Sequence, residues 1–295
     1  MLKHLTGLVI CLLMPFSLYA DNSQHIKQLE KIYQSIQNQQ ISLLPEQPIH
    51  IQSRINDDRL HADVYAVKTI VFNKLVKKIN RPEQWCRFIT LHLNIKACVY
   101  QLEPETLLRF YAGRKFYQPA EDAFELSYQF EVKKLTENYF ELLLSADQGP
   151  FSTSDYQIKL EVLKIDEDVL LHMSLSYLSS FTSRLGTRVY LSTIGADKVG
   201  FSQQLSVDGE LEYIQGVEGI IERNVMRYFL ALSVYLENGD QLQMVKRWFD
   251  TTEQYARQLH EVEEQNYLQA KQREYMQQAE MQQRVNQKLP ALIDN

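Results

Sequence analysis

From Leu126 to Tyr177 apolar and polar residues alternate almost without interruption, and the chain later enters a stretch, Val217–Leu236, that is apolar nearly all the way round. Period-2 alternation repeated through several segments, with short polar turns between them, specifies antiparallel strands that share one apolar face. That face needs a cover. Twenty helical residues span about 30 Å, enough to cross such a sheet. The expected architecture is therefore α+β, an antiparallel sheet wrapped around a long helix in the C-terminal half, with an elongated apolar space between them.

The strands can be placed individually. Leu126, Tyr128, Phe130 and Val132 line one face of a strand opposite Ser127, Gln129 and Glu131, and Phe140, Leu142 and Leu144 answer them across the turn Lys133–Asn138. Tyr156, Ile158, Leu160 and Val162 form another strand, and Val169, Leu171, Met173, Leu175 and Tyr177 the last. Upstream, Ile49–Ile55 and Leu60–Ala66 alternate around Asn56-Asp57-Asp58, which predicts a first hairpin. Thr69–Asn80 is helical by period, with Thr69 as its expected cap, and Pro82 opens a second short helix carrying Trp85, Cys86, Phe88 and Ile89. Leu108, Phe110 and Ala112 make a short strand between these helices and the meander.

The ends of the chain are of a different kind. Lys3, the apolar run Leu8–Met14 and Leu18-Tyr19-Ala20 have the form of a signal peptide cleaved near Ala20, and the run is too short for a membrane span. The alternative, a retained anchor, is opposed by the polar residues directly downstream. Ser23–Leu43 begins as a Gln-rich amphipathic helix with Ile26, Leu29, Tyr33 and Ile36 on one stripe, and Leu44-Pro45-Glu46-Gln47-Pro48 breaks it. Leu242–Leu259 carries Val245, Trp248, Phe249 and Tyr255 and is expected to pack, whereas Glu261–Lys288 has few apolar residues and reads as a solvated helix. A coiled-coil contact between that tail and a protein partner is the competing reading. The divisions are a leader (1–20), an N-terminal helix (21–44), the sheet-and-helix domain (45–239) and a helical Gln/Glu-rich tail (240–295).

With the leader removed, Cys86 and Cys98 are the remaining cysteines of an exported, periplasmic chain, and an even count in an oxidising compartment points to a disulfide. The loop it closes is worth about 3 kcal/mol by chain entropy. His92 lies between the two cysteines, but the spacings fit no zinc framework, so no metal is expected. The formal charge of −6 gives no electrostatic footprint for nucleic acid or for anionic membrane surfaces.

Catalytic signatures are absent: no Gly-x-Ser-x-Gly elbow, no His-Glu-x-x-His, no phosphate loop and no Cys-x-x-Cys occurs, and the histidines are scattered. His172 falls on the polar side of its strand and reads as a surface or satisfied histidine. The polar cluster that stands out is on the long helix. Arg223 and Arg227 are i,i+4 neighbours interrupting an apolar stretch, and two guanidinium forks on one stripe suit an anionic head group. Pairing with acidic residues of the sheet rim, or snorkelling to water, is the alternative. Arg223, Asn224, Arg227 and Tyr228 are the candidate ligand-binding residues, with Trp85 and His92 behind them.

The order hairpin, two short helices, meander and long helix resembles the helix-grip fold of the StAR-related lipid-transfer superfamily, which includes polyketide-cyclase-like and pollen-allergen-like proteins. His61–Thr69, Arg81–Cys98, Val189–Phe201 and Gly216–Leu236 carry the resemblance. Gln84-Trp85-Cys86, Leu91–Cys98, Lys198-Val199-Gly200-Phe201 and Ile221–Tyr228 are also similar to a group of uncharacterised exported proteobacterial proteins. The superfamily resemblance implies a START-like cavity between sheet and helix that takes a hydrophobic small molecule or lipid, with no cofactor and no catalytic residue to carry over. The function expected on this ground is a carrier for a hydrophobic, lipid-like and in one reading anionic ligand. A cyclase-like enzyme and an envelope assembly factor acting through the tail are its rivals.

Overall fold

The computed structural model describes residues 17–44, 47–179 and 198–288. Most of the expected leader, the Pro45-Glu46 break and residues 189–197 of one resembling segment lie outside the described residues. Among the described residues no helix is long and apolar enough to cross a membrane.

The order of elements is α1 (Ser17–Gln37), β1 (Ile49–Asn56), β2 (Arg59–Lys68), α2 (Phe72–Ile79), α3 (Pro82–Ile89), β3 (Ile95–Gln101), β4 (Leu107–Ala112), β5 (Phe124–Leu135), β6 (Tyr139–Gln148), β7 (Thr153–Ile165) and β8 (Asp168–Ser179). A small hairpin follows, β9 (Gln203–Leu205) and β10 (Leu211–Tyr213). Then come α4 (Gly216–Leu236), α5 (Gln241–Glu253), α6 (Ala256–Leu259) and α7 (Glu264–Lys288).

β1 to β8 form one sheet in the order β1-β2-β8-β7-β6-β5-β4-β3, antiparallel throughout. The long helix α4 packs against β1, β2, β8 and α3 on the inner face, so the α+β architecture expected from the pattern, a sheet around the long helix with extra helices at both ends, is the one found. Antiparallel pairing here is local in sequence: each strand of the meander follows its neighbour across a short turn. Asp57 and Asp166 take left-handed backbone conformations (φ 53° and 52°) in the two-residue turns that fix the register of β1–β2 and β7–β8.

Inner-face residues from every strand join α4 in one apolar core, among them Val64, Phe110, Leu142, Leu160 and Met173 with Ile221, Val225, Phe229 and Leu230. The disulfide Cys86–Cys98, with Cα atoms 5.0 Å apart, ties α3 to β3 as the cysteine count predicts. Trp85 beside it is fully buried. Its ring meets Phe88 and Phe130, and its Nε1–H donates to Ile79 O. Thr69 is not the cap of α2. The N-cap is Val71, with no side-chain bond, and Thr69 Oγ1 donates instead to Asp168 Oδ1 at 2.8 Å.

Two expectations are overturned. The outer face of the sheet is not simply wet. α1 lies over part of it, and Leu29 and Ile36 join Tyr65, Tyr139, Leu163 and Leu170 in a second core. Asp63, Glu161 and His172 are buried on the same face. The tail is not a solvated helix either. α7 runs along β3, the end strand of the sheet, and buries Tyr267, Ala270, Lys271 and Glu274. Gln278 Oε1 accepts from Cys98 N at 2.8 Å; Gln282 accepts from Tyr100 N and donates to Tyr100 O, both at 2.9 Å. Side-chain amides thus complete the open edge of the sheet, which is why so polar a helix packs.

Candidate functional site

Most of the interface between α4 and the sheet is closed. A side chain lining a void that admits a ligand keeps accessible surface, yet Ile221, Val225, Met226, Phe229 and Leu230 keep none, nor do Val64, Leu142, Leu160 and Met173 opposite them. The extended hollow expected beneath the whole helix is therefore not present there.

A second environment survives on the same inner face. Tyr156 (β7), Tyr177 (β8) and Tyr228 (α4) pack against the core but remain partly accessible, and Tyr128 (β5) lies beside them. The rings of Tyr156 and Tyr177 stack with centroids 4.7 Å apart. Burial raises the pKa of all four phenols, and Tyr156 is close enough to the other three to raise theirs further. Each is a neutral O–H donor at physiological pH. The Tyr156 hydroxyl bonds Thr153 Oγ1 at 2.9 Å. Those of Tyr128, Tyr177 and Tyr228 have no hydrogen-bond partner among the described residues, and none of them is sealed from solvent. Asn224, one turn before Tyr228, is also partly accessible. The inner face here is a partly accessible aromatic surface with neutral polar groups.

The positions singled out in the sequence divide around it. His92 and Tyr228 come together, ring centroids 4.6 Å apart. His92 is 2% exposed, and its Nδ1 accepts from Asn94 N at 3.1 Å, which puts the ring proton on Nε2. That Nε2–H has no partner among the described residues. A buried donor left unpaired costs about 1–3 kcal/mol. Burial, then the positive charges of Arg227, Lys271 and Lys96, hold the imidazole pKa well below its ordinary value, so the ring is neutral.

The two arginines face other duties. Arg223 Nη1 donates to Val199 O at 3.0 Å, and Arg227 Nη2 donates to Glu261 Oε1 at 3.0 Å and to Leu259 O at 3.3 Å. Both are buried. The acid that pairs Arg227 comes from the C-terminal segment, not from the sheet rim. Trp85 is fully buried beside the disulfide, with its indole N–H given to Ile79 O.

Glu222, which stands out in the sequence with Arg223 and Asn224 but is given no role there, is fully buried. It accepts from Ser53 Oγ at 2.7 Å, from Phe201 N at 2.7 Å, from Ser202 N at 3.0 Å and from the Ser202 hydroxyl. Gly200 lies so close that a Cβ there would stand 2.5 Å from Glu222 Oε2 and 3.0 Å from the Cα of Gly219. Lys198–Phe201 and Ile221–Tyr228, quoted separately from the sequence, are therefore partners: the glutamate and the adjacent Arg223 pin the base of the β9–β10 hairpin to α4. A carboxylate inside an apolar helix was the signal available.

A cleft of about 510 Å³ opens elsewhere, between α7 with the residues 260–263 before it and residues 115–117. Its charged groups largely satisfy one another. Lys96 and Lys271 both donate to Glu274, and Lys115 donates to Glu261. Lys271 also donates to His92 O and Ile95 O, and burial pushes its pKa down to about 8 despite the attraction of Glu274.

Compared with known families and with curated proteins, the chain matches none. Solved structures with low-scoring likenesses to the chain include the following three. A hypothetical protein from Helicobacter pylori is 13% identical over 61% of this chain and 88% of its own, with a TM-score of 0.37. A conserved protein of unknown function from Enterococcus faecalis is 11% identical over 69% and 91%, with a TM-score of 0.32. Ginseng major latex-like protein 151 from Panax ginseng is 12% identical over 45% and 93%, with a TM-score of 0.26. At these scores the likenesses carry no argument about the chemistry of this chain.

Proposed function

We propose that this protein is a periplasmic carrier that holds a hydrophobic small molecule or lipid in the tyrosine-lined cleft between the inner sheet face and α4. One observation carries the reading: Tyr128, Tyr156, Tyr177 and Tyr228 gather where the core stops being sealed, and three of their hydroxyls are unpaired among the described residues. Aromatic walls with a few polar groups are the composition of a small-molecule site. Apolar contact supplies affinity at about 25 cal/mol per Å², so about 300 Å² of buried ligand surface gives micromolar binding before the cost of immobilisation.

The head of the ligand, on this reading, is neutral. Arg223 and Arg227 are committed to the protein, and what faces the cleft is hydroxyl and carboxamide. A cyclase-like reading would need an acid–base pair in the cleft. The close acid–histidine pairs among the described residues are those around His172, on the outer face, and His260 with Glu253 at 2.9 Å, in the C-terminal segment.

The test is native mass spectrometry of the protein purified from its own cell envelope, paired with fluorescence titration of N-phenyl-1-naphthylamine. A bound apolar mass and saturable micromolar dye binding, weakened at least fivefold in Tyr177→Ala, are expected. No bound mass and no dye binding would sink the proposal.

A further inference from the structure

We infer that His92 and Tyr228 form a two-donor seat for a carbonyl-type oxygen of a neutral ligand, an inference that rests on the carrier reading above. The seat follows from the placement of protons. Asn94 N–H points at Nδ1 of His92, so that nitrogen can only accept and the imidazole proton sits on Nε2. Nε2–H has no acceptor among the described residues although the side chain is buried. Native interiors seldom leave such a donor unmatched, so an acceptor from outside the protein's own groups is called for. The Tyr228 ring lies against this imidazole, and its hydroxyl is a second donor unpaired among the described residues.

The surroundings fix the sign of what can bind. Lys96, Lys271 and Arg227 stand near His92, but Lys96 and Lys271 are satisfied by Glu274 and by backbone carbonyls. Arg227 is engaged by Glu261 and Leu259 O. No carboxylate is bonded to His92 among the described residues, so the ring is neither charged nor turned into an acceptor. Two neutral donors then select a group with lone pairs and no net charge: a ketone, quinone, ester or amide oxygen on an apolar body. A free carboxylate or phosphate would give up its hydration to aromatic walls, where the nearby cations are already hydrogen-bonded within the protein.

Two naphthalene probes separate this inference from the reading beneath it. N-Phenyl-1-naphthylamine has no acceptor oxygen; 6-propionyl-2-dimethylaminonaphthalene carries a ketone whose emission shifts to the red when it accepts a hydrogen bond. Wild-type protein is expected to bind both. His92→Phe keeps an aromatic ring and removes the donor, and should weaken the ketone probe about fivefold, the value of one net hydrogen bond. Its bound emission should also move to the blue, with the amine probe unchanged within about twofold. Equal effects on the two probes would overturn the seat and leave the carrier standing; loss of binding of both probes by wild type would remove the carrier reading itself. Should His92→Phe fail to fold, the Nε2–H resonance of wild-type His92 gives the answer. It should move on adding the ketone probe and not on adding the amine, and a resonance indifferent to both would mean a structural water partner and overturn the seat.

Discussion

His172 donates its Nδ1–H to Glu161 Oε2 at 2.7 Å. Its other nitrogen, Nε2, meets Asp63 Oδ1 at 2.8 Å, and ionised carboxylates only accept, so the ring carries both protons and a positive charge. Glu161 also receives His25 from α1 at 2.5 Å, Lys159 at 2.8 Å and the Tyr139 hydroxyl; Asp63 receives His61 at 2.8 Å and Arg54 at 2.7 Å. The Tyr65 ring lies flat on His172 with centroids 4.3 Å apart.

The pH dependence of stability follows. Burial opposes the charge on His172, but hydrogen bonds to Asp63 and Glu161 outweigh it and raise its pKa above the ordinary value. A raised histidine contributes stability that is complete below its unfolded value of about 6.5 and is lost as pH rises through its folded value. Asp63 and Glu161 are opposed by burial too, yet their histidine partners hold both pKa values far below the carboxylate range, so their contribution persists deep into acid. Thermal unfolding between pH 5 and pH 10 should therefore show the midpoint falling on the alkaline side of neutrality. The slope should flatten in His172→Gln, and an unchanged slope in that variant would contradict the assignment.

The disulfide Cys86–Cys98 spans a sequence separation of 12 residues. Replacing both cysteines by alanine should lower the unfolding free energy by about 2–4 kcal/mol. Urea titration of the double variant against wild type measures it, and a difference under about 1 kcal/mol would mean that α3 and β3 are held together by packing alone.

Gln278 and Gln282 complete the backbone bonding of β3. Changing both to alanine should cost about 1–3 kcal/mol and leave an end strand with bare amides, a template for pairing between chains. Size-exclusion chromatography across a concentration series should show self-association in the double variant. A monomer of unchanged stability would argue against the edge contact.

Gly200→Ala tests the junction of the hairpin with α4. Its new methyl group would sit 2.5 Å from Glu222 Oε2 and 2.6 Å from Ile214 Cγ2. Relief requires moving a buried carboxylate with its bonds or the backbone of Gly219, so a loss of about 2–4 kcal/mol is expected. Calorimetry decides it, and a neutral result would mean that the two segments can part at little cost.

The strands, the long helix and the disulfide were legible because each depends on neighbours close in sequence or on simple arithmetic. Alternation from Leu126 to Tyr177 needs no knowledge of what lies across the sheet. The fate of the polar side of each strand does need it. Asp63, Glu161 and His172 occupy positions that look solvent-facing, and they are covered by distant groups: His25 of α1 on Glu161, Arg54 on Asp63 and the Tyr65 ring on His172. A register-level clue existed, since Glu161 and His172 stand directly opposite each other on β7 and β8. The glutamines of α7 gave no local sign at all: their partners on β3 lie about 180 positions away in the chain. For the cleft, Tyr228 and His92 could be chosen from sequence, whereas the convergence of Tyr128, Tyr156 and Tyr177 depends on three strands meeting one helix. Arg223 and Arg227 attracted attention as cations, and their acceptors, Val199 O for the first and Leu259 O and Glu261 for the second, come from segments before and after α4 that only the fold brings to it.

The manner in which α7 closes β3 has a mechanical consequence. A terminal strand capped by another strand can be uncapped only by unzipping a ladder, amide by amide. Here two carboxamide side chains do the capping, and the helix that carries them is itself buried along β3 through Tyr267, Lys271 and Glu274. Growth of this sheet by one more ribbon therefore has to displace α7 as a whole, so a rigid rod guards the edge where another sheet would rely on a further strand.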